Sequence, residues 1–295
     1  MTAATLETPS GKDAAGENFP VGSFLIRPSL RRHVHVFYTF ARAGDDIADN
    51  PDLDPDDKVA RLARMAAIIE GGTDGAGASP SAVAMRASLA ETGITARHCL
   101  DLLAAFTQDA RKTRYRTWDE LIGYCLLSAA PVGRHLLDLH GEGEAPRRAA
   151  DALCNALQVV NHLQDCGEDY RSLDRVYLPT DTLAACGAAI EDLGGTALTP
   201  ALRRVLDRVI TPLDGLLEEC ADLVLAVKDP RIALECQVIR TMCVHLTERL
   251  KRRDPLATRV ALTKPRAALL AVAGITGGLW RRWTAGTRPK PALAA

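Results

Sequence analysis

At 295 residues with 47% apolar side chains, the chain is long enough for one large core or two modest ones. Acids and bases almost cancel to a formal net charge of −1, which removes any electrostatic case for nucleic acid. Eight cysteines form no C-x-x-C pair and sit mostly in apolar periodic stretches, so they read as small hydrophobes of a reduced, cytoplasmic protein. The first residues lack the basic-then-apolar pattern of a signal peptide, and no apolar run reaches the ~18 residues of a membrane span.

In chain order, residues 1–16 are Ala, Thr, Gly and polar residues without periodicity, and are expected to form a disordered tail. Order is expected from Glu17. The first helix should open at Pro28, a favoured first-turn residue, and run to Asn50-Pro51. Asp54-Pro55 caps a second helix ending at Gly71-Gly72, and Ser79-Pro80 opens a third ending at Gly93. Thr95 caps a fourth, which carries Leu100, Leu103, Ala104 and Phe106. Thr117 and Glu120 have the spacing of a capping box.

The helix they start contains Ser128-Ala129-Ala130-Pro131-Val132-Gly133, where the proline should kink it; the small side chains serve either close helix packing or room for a ligand. After Gly141 another helix should end before Arg171, leaving residues 171–179 as an irregular flap over a site. Residues 199–227 and 229–253 read as two long helices, the first interrupted at Pro212. With no run of alternating β-branched residues, no repeat and no linker, the chain is expected to be a single all-α domain over residues 17–262. A segment over 263–295 follows. There Ala267 to Trp280 is almost wholly apolar between Arg266 and Arg281-Arg282-Trp283, which suits either a peripheral membrane contact or a helix closing the bundle.

Two polar stripes carry the chemistry. Tyr38, Arg42, Asp45 and Asp49 recur at helical spacing on one face, and so do Gln158, Asn161, Asp165 and Asp169. A D-x-x-x-D pair on a single helix is most often a solvated face. Here each stripe is framed by core-type residues such as Leu157, Val159, Val160 and Leu163, and carboxylates in such a frame need a partner or a metal. Two acidic faces aimed at one another would cage a hard divalent cation, and the accompanying Asn, Gln, Arg and Tyr suit Mg²⁺ holding a diphosphate.

In these stripes, and in Tyr124-Cys125 and Arg175-Val176-Tyr177-Leu178-Pro179, the sequence resembles the squalene/phytoene synthase family over roughly residues 17–260. The resemblance implies an isoprenoid-synthase-type helical bundle with a central cavity. It implies that Asp45, Asp49, Asn161, Asp165 and Asp169 hold Mg²⁺, that Arg42 and Arg175 contact phosphate oxygens, and that Tyr38 and Gln158 orient the leaving group. Phe19, Ser128 and Tyr177 join Gln158, Asn161 and Arg175 as its substrate-binding residues.

Within the family, the segments Glu17-Asn18-Phe19-Pro20-Val21, Ser128 to Arg134 and Asn161 to Gly167 are most similar to the members that convert presqualene diphosphate and water to hydroxysqualene and diphosphate, in bacterial hopanoid biosynthesis. Members that couple two prenyl diphosphates tend to carry Ser-x-Ser-Phe where Gly16 to Phe19 stand, Val-Ala-Gly at Ser128 to Ala130, and Arg at Gln164. Losing the serines and the arginine would weaken a second diphosphate site. The resemblance also implies a channelling partner that makes presqualene diphosphate, and a place in the cytoplasm or on the inner face of the membrane. A coupling transferase, and a non-catalytic member acting as an assembly factor, remain the alternatives. No Gly-rich dinucleotide fingerprint is present.

Overall fold

The computed structural model describes residues 6–9, 25–72 and 79–286. Twelve α-helices are formed among them: α1 (Arg31–Asp49), α2 (Pro55–Ile69), α3 (Pro80–Thr92), α4 (Arg97–Asp109), α5 (Trp118–Ser128), α6 (Ala130–Leu139), α7 (Arg147–Leu173), α8 (Thr180–Cys186), α9 (Pro200–Glu219), α10 (Leu223–Ala226), α11 (Pro230–Leu250) and α12 (Lys264–Gly286). A short 3-10 turn covers Ile190–Gly194, and the only extended pairing among the described residues is a single bridge between Arg114 and Val176. The all-α expectation holds.

Local chemistry sets most boundaries. Asp54, Ser79, Thr117, Thr199 and Asp229 each accept a backbone N–H from the first turn of the helix they precede. Gly93 stops α3 in the left-handed conformation at φ 71°, which costs an L side chain more than glycine. Thr95 Oγ1 accepts from the N–H of Arg97 at 3.2 Å, so its capping role is real although α4 is entered one residue later.

Four boundaries differ from the sequence expectations. Pro28 lies in a turn, and α1 opens only at Arg31 with no side-chain cap, because Leu30 N–H first closes onto Arg27 O at 2.9 Å. The kink before Pro131 is a full break at Ala129: proline supplies no N–H to continue the ladder, and α6 starts afresh. Pro212, by contrast, is absorbed inside α9, and the break there falls at Cys220. Lastly, α7 continues two residues past Arg171 and is closed by Asp174 in the left-handed region, its cap N–H bonding Asp169 O. Residues 175–179 are then pinned to the 113–116 segment by Val176 N–H to Thr113 O at 2.9 Å and Thr180 N–H to Tyr115 O at 2.9 Å; they form a wall and not a loose flap.

Within the expected N-terminal tail, residues 6–9 pack on the bundle. Leu6 is buried, Arg61 donates to its carbonyl at 3.0 Å, and the Glu7 carboxylate accepts from the N–H of Ser81 at 2.8 Å, capping α3. The segment from Glu17 to Phe19, with the substrate-binding expectation for Phe19, lies outside the described residues.

Two large apolar cores form, with two smaller clusters beside them. One joins α1 to α4 around Phe40, Ile47, Leu62, Met65 and Met85. The larger gathers α5 to α11 around the buried half of α7, through Leu153, Ala156, Val160 and Leu163. α12 lies along α11, where glycine is required: a Cβ on Gly274 would come within 2.7 Å of Val238 Cα. Its opposite side exposes Leu269, Val272, Leu279, Trp280 and Trp283, each more than half accessible. Thus the helix both closes the bundle and presents an apolar stripe. No helix among the described residues is long and apolar enough to cross a membrane, and all eight cysteines are free.

Candidate active site

A cavity of about 410 Å³ lies where the two cores meet, lined by α1, α4, α5, α6, α7, α10 and α11. Two helices give it polarity. On α1 the lining face runs from Val34, Phe37 and Ala41 to Tyr38, Arg42 and Asp45. On α7 it runs from Ala150, Leu153, Cys154 and Leu157 to Gln158 and Asn161, and the same face continues to Asp165 and Asp169. Apolar residues occupy the N-terminal half of each helix and acids the C-terminal half. The cavity therefore has one charged mouth and one apolar body, and the negative ends of both helix dipoles lie at the charged end.

The two acid stripes face each other. Burial, then the neighbouring Asp49 carboxylate, push Asp45 up to about 7 against the pull of Arg42. On α7, burial, then Asp165 and then Asp49 across the gap, push Asp169 up to about 7. Asp49 thus acts on acids of both helices. Carboxylates pressed together in this way are short of positive charge. The donors are all oxygens. Among the described residues, no three His, Cys, Asp or Glu side chains converge tightly enough to cage a bare cation. Carboxylates set in opposed pairs suit Mg²⁺, which keeps several waters and takes one or two protein carboxylates together with substrate phosphates.

The sequence-predicted residues divide into three groups. Tyr38, Arg42, Asp45, Ser128, Gln158 and Asn161 line the cavity. Asp49, Asp165 and Asp169 stand half-buried at its acidic end, on the same two helix faces. Arg175 and Tyr177, like those three acids, are outside the cavity lining and are bonded to its acidic end. Arg175 is buried and donates to the Asp49 carboxylate, to Ala48 O at 3.1 Å and to Asp109 O at 3.2 Å, tying together the C-terminal ends of α1 and α4. Tyr177 donates to Asp109 Oδ1 at 3.3 Å and stacks on His162 with ring centroids 3.6 Å apart. Both are supports beneath the acid stripe. Arg42 lies in the cavity wall but is shared between Asp45 at 3.0 Å and Asp46.

Gln164 is 5% exposed and donates to Val260 O. The small residues of the 128–133 segment serve both purposes left open by the sequence. A Cβ on Gly133 would meet Cys154 Sγ at 2.6 Å, so glycine lets α6 close on α7. Ser128 and Val132 border the cavity.

Tyr124, which the family resemblance picks out together with Cys125, lines the cavity. Sequence reasoning missed three other groups. Asp109 is buried at the end of α4, accepts from Tyr124 Oη at 2.8 Å, and is pushed up to about 6 by burial. Lys58 donates to Ala48 O at 2.8 Å, and burial with the nearby Arg175 lowers it. Glu235 on α11 is a buried carboxylate in the cavity wall. None carries a local spacing signal, since each gains its meaning from a helix distant in sequence.

An all-α bundle enclosing an apolar cavity with a carboxylate-lined mouth defines a class of protein that handles a long apolar molecule with a charged head. The family model for squalene/phytoene synthase matches residues 12–266, and the chain belongs to that family. It is 46% identical to hydroxysqualene synthase of Rhodopseudomonas palustris over 93% of this chain and 92% of that one. It is 41% identical to hydroxysqualene synthase of Zymomonas mobilis over 92% and 91% of the two chains. Among solved structures it is similar to a squalene synthase from Alicyclobacillus acidocaldarius, with TM-score 0.66 and 29% identity over 78% of this chain and 88% of the other. A dehydrosqualene synthase shares the fold with TM-score 0.74 at 20% identity, over 90% of this chain and 93% of the other.

Proposed function

We propose that the protein converts presqualene diphosphate and water to hydroxysqualene and diphosphate, as a carbon–oxygen lyase. The observation that carries this is the polarised cavity: an apolar body that ends at the facing acidic stripes of α1 and α7. The relatives named hydroxysqualene synthase, matched over nearly the whole chain, support the choice of product.

Asp45, Asp49, Asn161, Asp165 and Asp169 are the residues that would hold Mg²⁺. Bound there, the metal would neutralise the diphosphate and stabilise it as a leaving group. Tyr38, Arg42 and Gln158 line the same end, where they contact the head group and fix its direction. Arg42 suits bidentate contact with phosphate oxygens. Arg175 and Lys58 hold the C-terminal end of α1 in place, and with it Asp45 and Asp49. Val34, Phe37, Leu102, Leu153 and Ile232 exclude bulk water from the carbocation left when the C–O bond to diphosphate breaks.

The lipid nature of this substrate also gives the α12 stripe a use. Leu269, Val272, Leu279, Trp280 and Trp283 form one apolar face ending in tryptophans, the composition of a helix that rests in a bilayer interface. Contact with a membrane surface would bring the enzyme to its substrate.

The direct test is incubation of purified protein with presqualene diphosphate and Mg²⁺ in ¹⁸O-labelled water, with and without NADPH. Hydroxysqualene carrying the label, unchanged by NADPH, is expected. Squalene formed only with NADPH, or phytoene-type products from two prenyl diphosphates, would overturn the reading.

A further inference from the structure

The acidic end of α1 is a helix C-terminus, so its geometry depends on donors from outside the helix. The last four carbonyls, Asp46 to Asp49, lie beyond the intrahelical ladder. Ala48 O is met by two cationic side chains, Lys58 Nζ at 2.8 Å and Arg175 Nη2 at 3.1 Å. Asp46 O, two residues nearer the cavity lining, is met by a hydroxyl from the start of the chain: Thr8 Oγ1 donates to it at 3.3 Å. We propose that residues 6–8 form a strap that positions Arg42 and Asp45 for the metal and the diphosphate, with Thr8 as the positioning residue. The inference rests on the Mg²⁺–diphosphate reading of the acid stripes.

The strap is anchored on both sides of Thr8's contact. Leu6 is buried, and Arg61 of α2 donates to its carbonyl at 3.0 Å. The Glu7 carboxylate accepts from Ser79 Oγ at 2.6 Å and from the N–H of Ser81 at 2.8 Å, at the start of α3. Both serines are buried, so water competes little for these bonds. Pro9 follows and disfavours helical backbone at Thr8, whose β-branched side chain is itself stiff. Three short-range bonds therefore join α2 and α3 to the end of α1 across 55, 74 and 38 residues of sequence.

From Thr8 the contacts lead into the site. Asp46, whose carbonyl Thr8 holds, is buried, and its carboxylate accepts from Arg42 Nε at 2.8 Å and again from Nη2. Arg42 also reaches Asp45 at 3.0 Å, and both residues line the cavity. Thr8, Asp46, Arg42 and Asp45 are consecutive links from the strap to the groups that would meet the head group. A fixed end matters here. Asp45 and Asp49 stand four residues apart on one face and repel one another, and the helix dipole adds negative charge at the same end. Holding this turn helical before the metal arrives leaves less ordering to be done on binding.

The test uses full-length wild type, Thr8→Val, Thr8→Ser, Glu7→Ala and the double variant Thr8→Val/Glu7→Ala. Calorimetry measures binding of inorganic pyrophosphate across a Mg²⁺ series. Turnover of presqualene diphosphate gives the Mg²⁺ concentration for half-maximal rate. Thr8→Val should weaken Mg²⁺-dependent pyrophosphate binding and raise that midpoint about fivefold, the scale of one net hydrogen bond. Its kcat at saturating Mg²⁺ should stay within about twofold, since a loss of binding alone leaves turnover intact. Thr8→Ser, which keeps the hydroxyl, should behave as wild type. Glu7→Ala frees the strap without touching α1 and should reproduce the loss. The double variant should be no worse than the larger single effect, because both changes break one chain of contacts.

Wild-type pyrophosphate binding and midpoint in Thr8→Val overturn the proposal. So do a Thr8→Ser defect equal to that of Thr8→Val, a fall in kcat with the midpoint unchanged, or single effects that add in the double variant. Should Glu7→Ala not fold, the Thr8→Val and Thr8→Ser pair decides alone. If wild type binds no pyrophosphate in the presence of Mg²⁺, the metal reading of the stripes fails and this inference with it; normal binding by wild type and Thr8→Val alike removes the strap only.

Discussion

Replacing Arg175 by methionine isolates the support beneath the acid stripe. The substitution keeps most of the side-chain volume and removes a guanidinium that reaches three acceptors on α1 and α4. Two carboxylates lose their counter-charge. Asp49 is 29% exposed and can be rehydrated, which limits its share of the cost. Asp109 cannot, being buried against Tyr124 and Tyr177; Arg175 is the strongest influence holding its carboxyl down, so in its absence the carboxyl rises above about 6 and tends to protonate. Breaking a buried pair by removing one partner costs roughly 3–5 kcal/mol, and the rehydration of Asp49 places this case near 3. At about 2–4 °C per kcal/mol for a large domain, the melting temperature should fall by roughly 6–12 °C. Thermal unfolding followed by far-ultraviolet circular dichroism measures it. The double variant Arg175→Met/Asp109→Asn should recover part of the loss, because it no longer leaves a charge unpaired. A fall of less than about 2 °C in the single variant would show that the α1–α4 tie is not held by this ion pair, and would refute the reasoning.

Other outcomes follow from the same geometry. Asp45→Asn and Asp169→Asn should each reduce turnover about 100-fold or more, the scale of losing a transition-state charge contact. Each should leave the metal-free protein at least as stable as wild type, since it relieves repulsion from Asp49; activity and melting temperature measured on one preparation check both. Gly274→Val should lower stability by about 1–3 kcal/mol, because its Cβ must displace the α11 backbone at Val238; urea unfolding reads this directly. Trp280→Ala/Trp283→Ala should reduce co-sedimentation with anionic liposomes and leave the melting temperature within about 2 °C, both side chains being more than half exposed. Unchanged sedimentation would remove the membrane role of α12.

What the sequence determined by itself was local. Cap residues such as Asp54, Ser79 and Thr117 marked helix starts because capping depends on neighbours two or three positions away. The two acid stripes were legible for the same reason, since helical spacing alone places Asp45 with Asp49 and Asp165 with Asp169 on common faces. Only the tertiary structure decided what those faces meet. It bonded Arg175 to Asp49 and Tyr177 to Asp109, directed Gln164 to Val260, and gave α12 one face for α11 and another for its surroundings. It also brought Asp109 of α4 under Tyr124 and close enough to act on Asp45, and placed Glu235 of α11 in the wall of the cavity. The physical reason is range: a cap or a stripe is fixed by contacts within a few residues, whereas the partner of a buried charge is chosen by packing between helices that may lie more than a hundred residues apart, as Asp49 and Arg175 do.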